Sequence, residues 1–391
     1  MEDFLTGKKH VHFIGIGGSG MYPLAQILHS KGFYLTGSDN NETETLKAVR
    51  NMGIPVYMGQ RAENIEGADL IVYTAAIMSD NPELIAAKAS GVKTVERCEL
   101  LGLVTSWYNK AVCVSGTHGK TTTSSMLTHM YLAQNVDLST VIGGKLKAIG
   151  GSGRAGSSDV MVCEACEFSN TFLHLFPNIS IILNIDADHL DFFKDLDDIR
   201  HRFRRYAELI PEGGALVINS DIDNLDYFTE GLKCNVITVG SDPEKSMYSA
   251  ANITYDEFAR GSYDLVVNGE TKTHIVLKVT GEHNIYNSLA SIAAAHFMGI
   301  DDNSIIAGLQ QYGGTDRRFQ YKGKLGDITV IDDYAHHPDE IRATIKTAKH
   351  YPHKKMWVVF QPHTYTRTKA LLPEFCKALS EADAVVLADI Y

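Results

Sequence analysis

The sequence predicts an α/β protein made of three consecutive α/β domains, and three observations carry that prediction. Its 391 residues exceed the ~100 to 200 of a single compact domain. Short apolar runs alternate with helix-like stretches along most of the chain, the rhythm of mostly parallel sheets flanked by helices. Two of the strand-to-helix junctions are glycine-rich loops in well-separated parts of the sequence, so each belongs to a sheet of its own.

The first domain, 1–107, has strand-like runs at 10–14, 34–37, 69–74 and 91–95. Directly after the first run comes Gly15-Ile-Gly17-Gly18-Ser19-Gly20-Met21, which opens an apolar-periodic helix. Glycines let the backbone approach a phosphate, and the helix N-terminal N–H groups meet its charge. The second run leads into Ser38 and Asp39, where dinucleotide folds place a ribose-binding acid. The expectation is a Rossmann-like N-terminal domain holding a nucleotide or nucleotide-sugar, against the alternative of a tight turn with no ligand.

A second unit, 108–321, starts with an apolar strand and the loop Gly116-Thr117-His118-Gly119-Lys120-Thr121-Thr122. This is a P-loop with Val114 at its first glycine position. In such a loop Lys120 reaches the β- and γ-phosphates of ATP and the Thr121 hydroxyl sits on Mg²⁺. Apolar strands follow at 159–163, 179–185, 215–219 and 236–240, and Asn268-Gly269 between two β-rich runs marks a hairpin, a β-rich insertion. The third unit, 322–391, resumes the alternation at 328–332, 355–361 and 383–390 and ends on Tyr391. Seventy residues are thin for an α/β domain, so this Rossmann-like C-terminal domain is expected to be truncated.

Metal and proton candidates lie at the ends of two central strands: Glu164, Cys166 and Glu167 on one, Asp186, Asp188 and His189 on the next. Acidic and imidazole groups beside a P-loop suit an Mg²⁺ shell, with helix capping by the aspartates as the lesser alternative. Cys163-x-x-Cys166 fits a redox or zinc pair less well than a strand interior, since no second pair accompanies it. Further on stand His283 and Asn287, one helical turn apart, then Arg317-Arg318, Asp332, His336, His363 and Arg367. Each of these clusters alone reads as readily as a solvated face or a core histidine.

Composition narrows the partners. Apolar residues at 44% and charged residues at 21% are ordinary for a soluble globular chain. A net charge of −11 works against nonspecific attraction to nucleic acid or anionic membrane. No apolar run approaches the ~20 residues of a membrane span, and the N-terminus lacks an apolar signal core, so a cytoplasmic protein is expected. Six scattered cysteines predict reduced thiols and no disulfide framework.

Taken in order, Gly15–Met21, Gly37-Ser-Asp39, the P-loop, Asn184-Ile-Asp-Ala-Asp-His-Leu-Asp191, Gly281-Glu-His-Asn-Ile-Tyr-Asn287, Arg317-Arg-Phe319, Asp332-Asp-Tyr-Ala-His-His-Pro338 and Phe360-Gln-Pro-His363 resemble the Mur ligases of peptidoglycan synthesis, nearest their alanine-adding branch. The resemblance implies a nucleotide-sugar domain, a central ATPase and a C-terminal domain presenting the amino acid. It implies ATP and Mg²⁺, with UDP-N-acetylmuramate and L-alanine as the molecules joined. By it, Gly15, Gly17, Gly18, Ser19, Gly20, Met21, Ser38 and Asp39 hold the UDP-sugar. Gly116 to Thr122, His283, Asn287, Arg317 and Asp332 bind ATP. Lys120, Glu167, His189 and Arg317 are catalytic, with Thr121, Glu167 and His189 on the metal. His336, His363 and Arg367 face muramate and alanine. The usual acidic string around Glu167 is altered here by Cys166, Phe168 and Ser169, which leaves Glu164 and Glu167 as rival metal ligands. Thr364 stands where relatives usually carry arginine, and the stretch 195–210 has no lysine to correspond to the carbamoylated lysine of several siblings.

Overall fold

The computed structural model describes residues 3–188 and 192–391. It is an α/β structure with two large, mostly parallel sheets. The first sheet takes β1 (His10–Ile14), β2 (Tyr34–Asp39), β3 (Val56–Met58), β4 (Leu70–Tyr73) and β5 (Lys93–Glu96) in the order β3-β2-β1-β4-β5, all parallel. Helices α1 (Tyr22–Ser30), α2 (Glu44–Asn51), α3 (Pro82–Ala89) and α4 (Arg97–Thr105) connect them. The strand order reverses between β1 and β4, the position at which open α/β sheets bind ligands. The strand β3 escapes the sequence rhythm because it is three residues long and mostly exposed, so it has no apolar run to betray it.

The central sheet has ten strands. They are β6 (Lys110–Ser115), β7 (Ser139–Leu146), β8 (Gly151–Arg154), β9 (Val160–Glu164), β10 (Ile179–Ile182), β11 (Ala215–Asn219), β12 (Asn235–Val239), β13 (Tyr248–Tyr255), β14 (Arg260–Val267) and β15 (Glu270–Thr280). Their order is β15-β14-β13-β12-β11-β10-β6-β9-β7-β8. The parallel part is buried on both faces, which is why β6, β9 and β10 read as unbroken apolar runs. The hairpin of β14 and β15 turns at Asn268 (φ 51°) and Gly269 (φ 79°), both in the left-handed region that a two-residue turn needs. It continues the central sheet antiparallel instead of standing apart from it. Helices α5 (Lys120–Ala133) and α8 (His283–Phe297) lie side by side on one face of the sheet with α9 (Asp302–Gln311) packed against α5, while α6 (Leu196–Ala207) and α7 (Leu225–Thr229) cover the other face.

The remaining strands form two separate pairs: β16 (Gln320–Leu325) antiparallel to β17 (Ile328–Asp332), and β18 (Trp357–Phe360) parallel to β19 (Ala384–Leu387). Helices α10 (Pro338–Lys349) and α12 (Leu372–Leu379), with the short α11 (Tyr365–Ala370) between β18 and α12, form with Phe360 of β18 a small core of Ile341, Ile345, Phe360, Phe375, Ala378 and Leu379. The sequence rhythm predicts β17, β18 and β19; β16 is an addition to it, a half-exposed strand without alternation. All six cysteines are free. Cys163 lies in the core with its sulfur 3.5 Å from that of Cys113, and burial pushes the Cys166 thiol up to about 11, so this pair is a piece of packing. Among the described residues no helix is long and apolar enough to cross a membrane.

Candidate active site

The first glycine loop is held by the strand beside it. The N–H groups of Gly15 and Ile16 both donate to the Ser38 carbonyl, at 2.9 and 3.0 Å, and Gly17 N–H donates to Asp39 Oδ2 at 3.0 Å. Asp39 also accepts the Asn41 N–H, so in this structure its carboxylate secures backbone on both sides. Gly37 is required because a Cβ there would lie 2.7 Å from the Ile16 side chain. Beneath the loop runs a chain of side chains that sequence reasoning misses. Ser38 Oγ donates to Glu83 Oε2 at 2.6 Å, Glu83 Oε1 lies 2.7 Å from His12 Nε2, and His12 Nδ1 lies 2.7 Å from Thr36 Oγ1. His12, Ser38 and Glu83 are completely buried. Nothing local signals this, because Glu83 reaches it from the first turn of α3. Gly18, Ser19 and Gly20 complete the turn, with the Ser19 carbonyl accepting from Ser152 of the central domain, and buried Met21 caps α1.

The P-loop joins β6 to α5. Gly116 (φ 138°) and Gly119 (φ 90°) adopt left-handed backbone that other residues avoid, and a Cβ on Gly119 would fall 2.5 Å from Asn287 Oδ1. Asn184, at the end of β10, clamps the loop: its Oδ1 accepts from His118 N–H at 2.7 Å and its Nδ2 donates to the His118 carbonyl at 3.0 Å. Thr117 Oγ1 accepts from Asp186 N–H at 2.8 Å. No side chain caps the start of α5, so its first N–H groups and the two bare glycines form a cradle for an anion. Lys120 folds back into this cradle. Its Nζ donates to the carbonyls of Gly116 and Thr117 and pairs with Glu167 Oε2 at 3.1 Å. Burial works against its charge, but Glu167 together with Cys166 and Glu164 raises the ammonium pKa. Glu164 points elsewhere, accepting Gly143 N–H at 2.7 Å. Thr121 and Thr122 are buried in the first turn of α5, and His189 lies outside the described residues.

Opposite the P-loop a cleft of about 250 Å³ is lined by His118, His283, Asn287, Arg318, Asp333 and Glu340, among others. His283 is exposed on the cleft wall, yet desolvation by the protein around it, then the nearby Arg318, push its imidazole down to about 4, which keeps it neutral. Two predicted residues, Arg317 and Asp332, stand beside neighbours that line this cleft. Arg317 has φ 62° and stacks on Tyr334 at 4.4 Å, while Arg318 faces the cleft. Asp332 ends β17, whereas Asp333 turns in and accepts N–H bonds from Phe319 and Ala335, both at 2.7 Å. Glu340 is the hub. It lies 3.2 Å from His118 Nδ1 and 3.6 Å from Arg318, and it accepts the His336 N–H at 3.0 Å. Burial would raise its carboxyl, but His118, His336 and Arg318 together hold it well below the usual carboxylate range. Arg367 pairs with Asp188 at 3.5 Å, both nearly buried, so it too meets the central domain. His363 is exposed and stacks on Tyr391 at 5.6 Å, away from the other candidates' contacts.

Comparison with known proteins places this arrangement in a family. Three family models match consecutive stretches: Mur ligase family, catalytic domain, over 10–108; Mur ligase middle domain over 114–295; and Mur ligase, glutamate ligase domain, over 317–390. The chain belongs to the Mur ligase family. Among its relatives in that family, the UDP-N-acetylmuramate–L-alanine ligase of Lachnospira eligens is 54% identical over 383 residues, covering 98% of this chain and 83% of that one. The Agathobacter rectalis enzyme of the same name is 51% identical over the same span. The crystal structure of the UDP-N-acetylmuramate–alanine ligase of Thermotoga maritima superposes with a TM-score of 0.84 at 32% identity, over 98% of this chain and 86% of that one. A murein peptide ligase from Psychrobacter arcticus shares the fold, with a TM-score of 0.77 at 22% identity.

Proposed function

We propose that this Mur ligase joins L-alanine to UDP-N-acetylmuramate at the expense of ATP, in the cytoplasmic stage of peptidoglycan synthesis. The observation that carries the reading is the 54% identity, over nearly the whole chain, to a relative named for that reaction. The loop from Gly15 to Met21, with Ser38 and Asp39, holds the UDP-sugar. The P-loop from Gly116 to Thr122, with His283, Asn287 and the C-terminal Arg317 and Asp332, holds ATP; Arg318 and Asp333 join that set because they line the cleft. His336, His363 and Arg367 face the muramate and alanine.

An amide cannot form from a carboxylate and an amine in water without activation. The muramate carboxylate attacks the γ-phosphorus of ATP, which breaks the bond to ADP and yields an acyl phosphate; the alanine amine then displaces inorganic phosphate and gives up a proton. Lys120 and the arginine of the C-terminal segment stabilise the charge spread over the transferring oxygens. The residues fit Mg²⁺: Thr121 sits in the first helical turn, and of the rival pair Glu167, buried and paired with Lys120, lies against the P-loop, while Glu164 accepts the Gly143 N–H, which supports Glu167 as the ligand. Mg²⁺ when bound neutralises phosphate charge there, and His189 is the third residue assigned to it. Closure of the C-terminal segment over the cleft keeps water from the acyl phosphate.

The test is phosphate release from ATP and Mg²⁺ with UDP-N-acetylmuramate, with and without L-alanine. Release that requires both substrates is expected, and Lys120→Ala should lower it by about 100-fold or more. Release indifferent to alanine, or a fully active Lys120→Ala protein, overturns the reading.

A further inference from the structure

His118 of the P-loop forms a cluster with His337 and Asp339, two residues to which the ligase chemistry gives no role. Among the described residues it is the one group of three or more histidine, cysteine or carboxylate side chains whose donor atoms all lie within 4.8 Å of one another. It bridges two parts of the molecule, because His118 belongs to the P-loop while His337 caps α10 and Asp339 lies in that helix's first turn.

The hydrogen bonding around it points to a metal. The Nδ1 of His118 is engaged by Glu340 Oε1 at 3.2 Å, yet its Nε2, buried, has no hydrogen-bond partner. A carboxylate on one imidazole nitrogen and an unsatisfied second nitrogen is how metal-ligating histidines are oriented. The Nε2 of His337 lies 3.3 Å from the Ala187 carbonyl, which makes it the N–H and leaves the Nδ1 lone pair on the cluster side, where it now receives only a long 3.3 Å bond from Asp339 N–H. That Nδ1 stands 3.4 Å from Asp339 Oδ2. Metal–ligand bonds of ~2.0 to 2.1 Å at tetrahedral angles set two ligands about 3.3 Å apart, so this edge is already formed. Arg342 engages the other Asp339 oxygen, and Asp186 Oδ2 lies 3.8 Å from His118 Nε2, in place for a fourth ligand.

We propose that His118, His337 and Asp339, completed by Asp186, bind one transition-metal dication of the zinc class and so staple the P-loop to the start of α10. Two imidazoles with carboxylates suit Zn²⁺, whereas Mg²⁺ prefers an all-oxygen shell, so this site is separate from the one assigned to Thr121 and Glu167. The proposal stands independently of the ligase reading.

The probe is Zn²⁺ itself, titrated into the full chain against a chromophoric chelator, with every protein carrying Cys376→Ser to remove the exposed thiol. One ion per chain is expected, with His337→Gln and Asp339→Asn each weakening it at least about tenfold. Co²⁺ should give the intense visible absorption of a tetrahedral ion in the parent protein, lost in both variants. His337 is buried and its variant could misfold, which circular dichroism would reveal; half-exposed Asp339 then decides the matter alone. Absence of binding in the parent, or unchanged affinity in folded Asp339→Asn, overturns the proposal.

Discussion

At the scale of single residues, the buried polar groups do the positioning. His283, exposed at the start of α8, shows how a cleft wall sets a charge state: desolvation by the surrounding protein, then Arg318, push its imidazole down to about 4 against an ordinary 6.5, so the folded protein keeps it neutral where the unfolded chain would protonate it. A depressed histidine pKa means that the unfolded state binds more protons between these values, so its contribution to stability is full above pH 6.5 and is lost as pH falls toward 4. Chemical denaturation of wild type and His283→Gln at pH 7 and pH 4.5 should show a shallower loss in the variant over that interval; parallel curves would contradict it. Glu83 offers a test of a different kind. It touches no part of the glycine loop itself, but it fixes the Ser38 hydroxyl while the Ser38 carbonyl takes two loop N–H groups. Glu83→Gln should raise KM for UDP-N-acetylmuramate several-fold with kcat and the KM for ATP little changed, and Glu83→Asp should not rescue it because the shorter arm cannot reach both partners. An equal loss in all three constants would mean only a weakened fold.

At the scale of elements, packing distances decide which helices touch. Helix α9 crosses α5 at Gly308, where a Cβ would stand 2.6 Å from the Met130 backbone. Only glycine permits that approach, so Gly308→Ala should cost ~1 to 3 kcal/mol, the usual range for overpacking, measurable as a lower urea midpoint with unchanged slope. A variant as stable as wild type would show that the two helices part easily. Much of this scale is legible in the sequence. The P-loop, the first glycine loop and the Asn268-Gly269 hairpin each lie within one short stretch whose backbone demands are met by residue type alone. The strands β3 and β16 are not legible, because they are mostly exposed and owe their pairing to neighbours distant in sequence.

At the scale of the whole molecule, the first and central parts share one hydrophobic core, whereas the C-terminal part has a small core of its own. Gly102 of α4 lets the first part abut the central one, since a Cβ there would be 2.2 Å from the His174 carbonyl. Lys145 and Glu44 add an exposed ion pair that contributes little. The C-terminal part reaches the P-loop through Glu340 with His118, His337 with the Ala187 carbonyl, and Arg367 with Asp188. Arg367→Ala should loosen that docking and enlarge the radius of gyration in small-angle scattering, while the helix content by circular dichroism stays constant. Scattering identical to wild type would mean that the other contacts suffice.

The amino-acid order by itself determined the α/β class, the two glycine-rich strand-to-helix loops and the family, because these depend on periodicity and on residue types a few positions apart. Only the tertiary structure decided which member of a neighbouring pair faces the cleft. A positive φ at Arg317 and the pleat at the end of β17 turn Arg318 and Asp333 inward, and neither is visible in the letters. The same holds for His12 with Glu83 and for His118 with His337 and Asp339. Their partners come from separate segments, and it is the sheet's crossover connections and the docking of α10, set by burial of apolar surface across the whole chain, that bring those atoms within bonding distance.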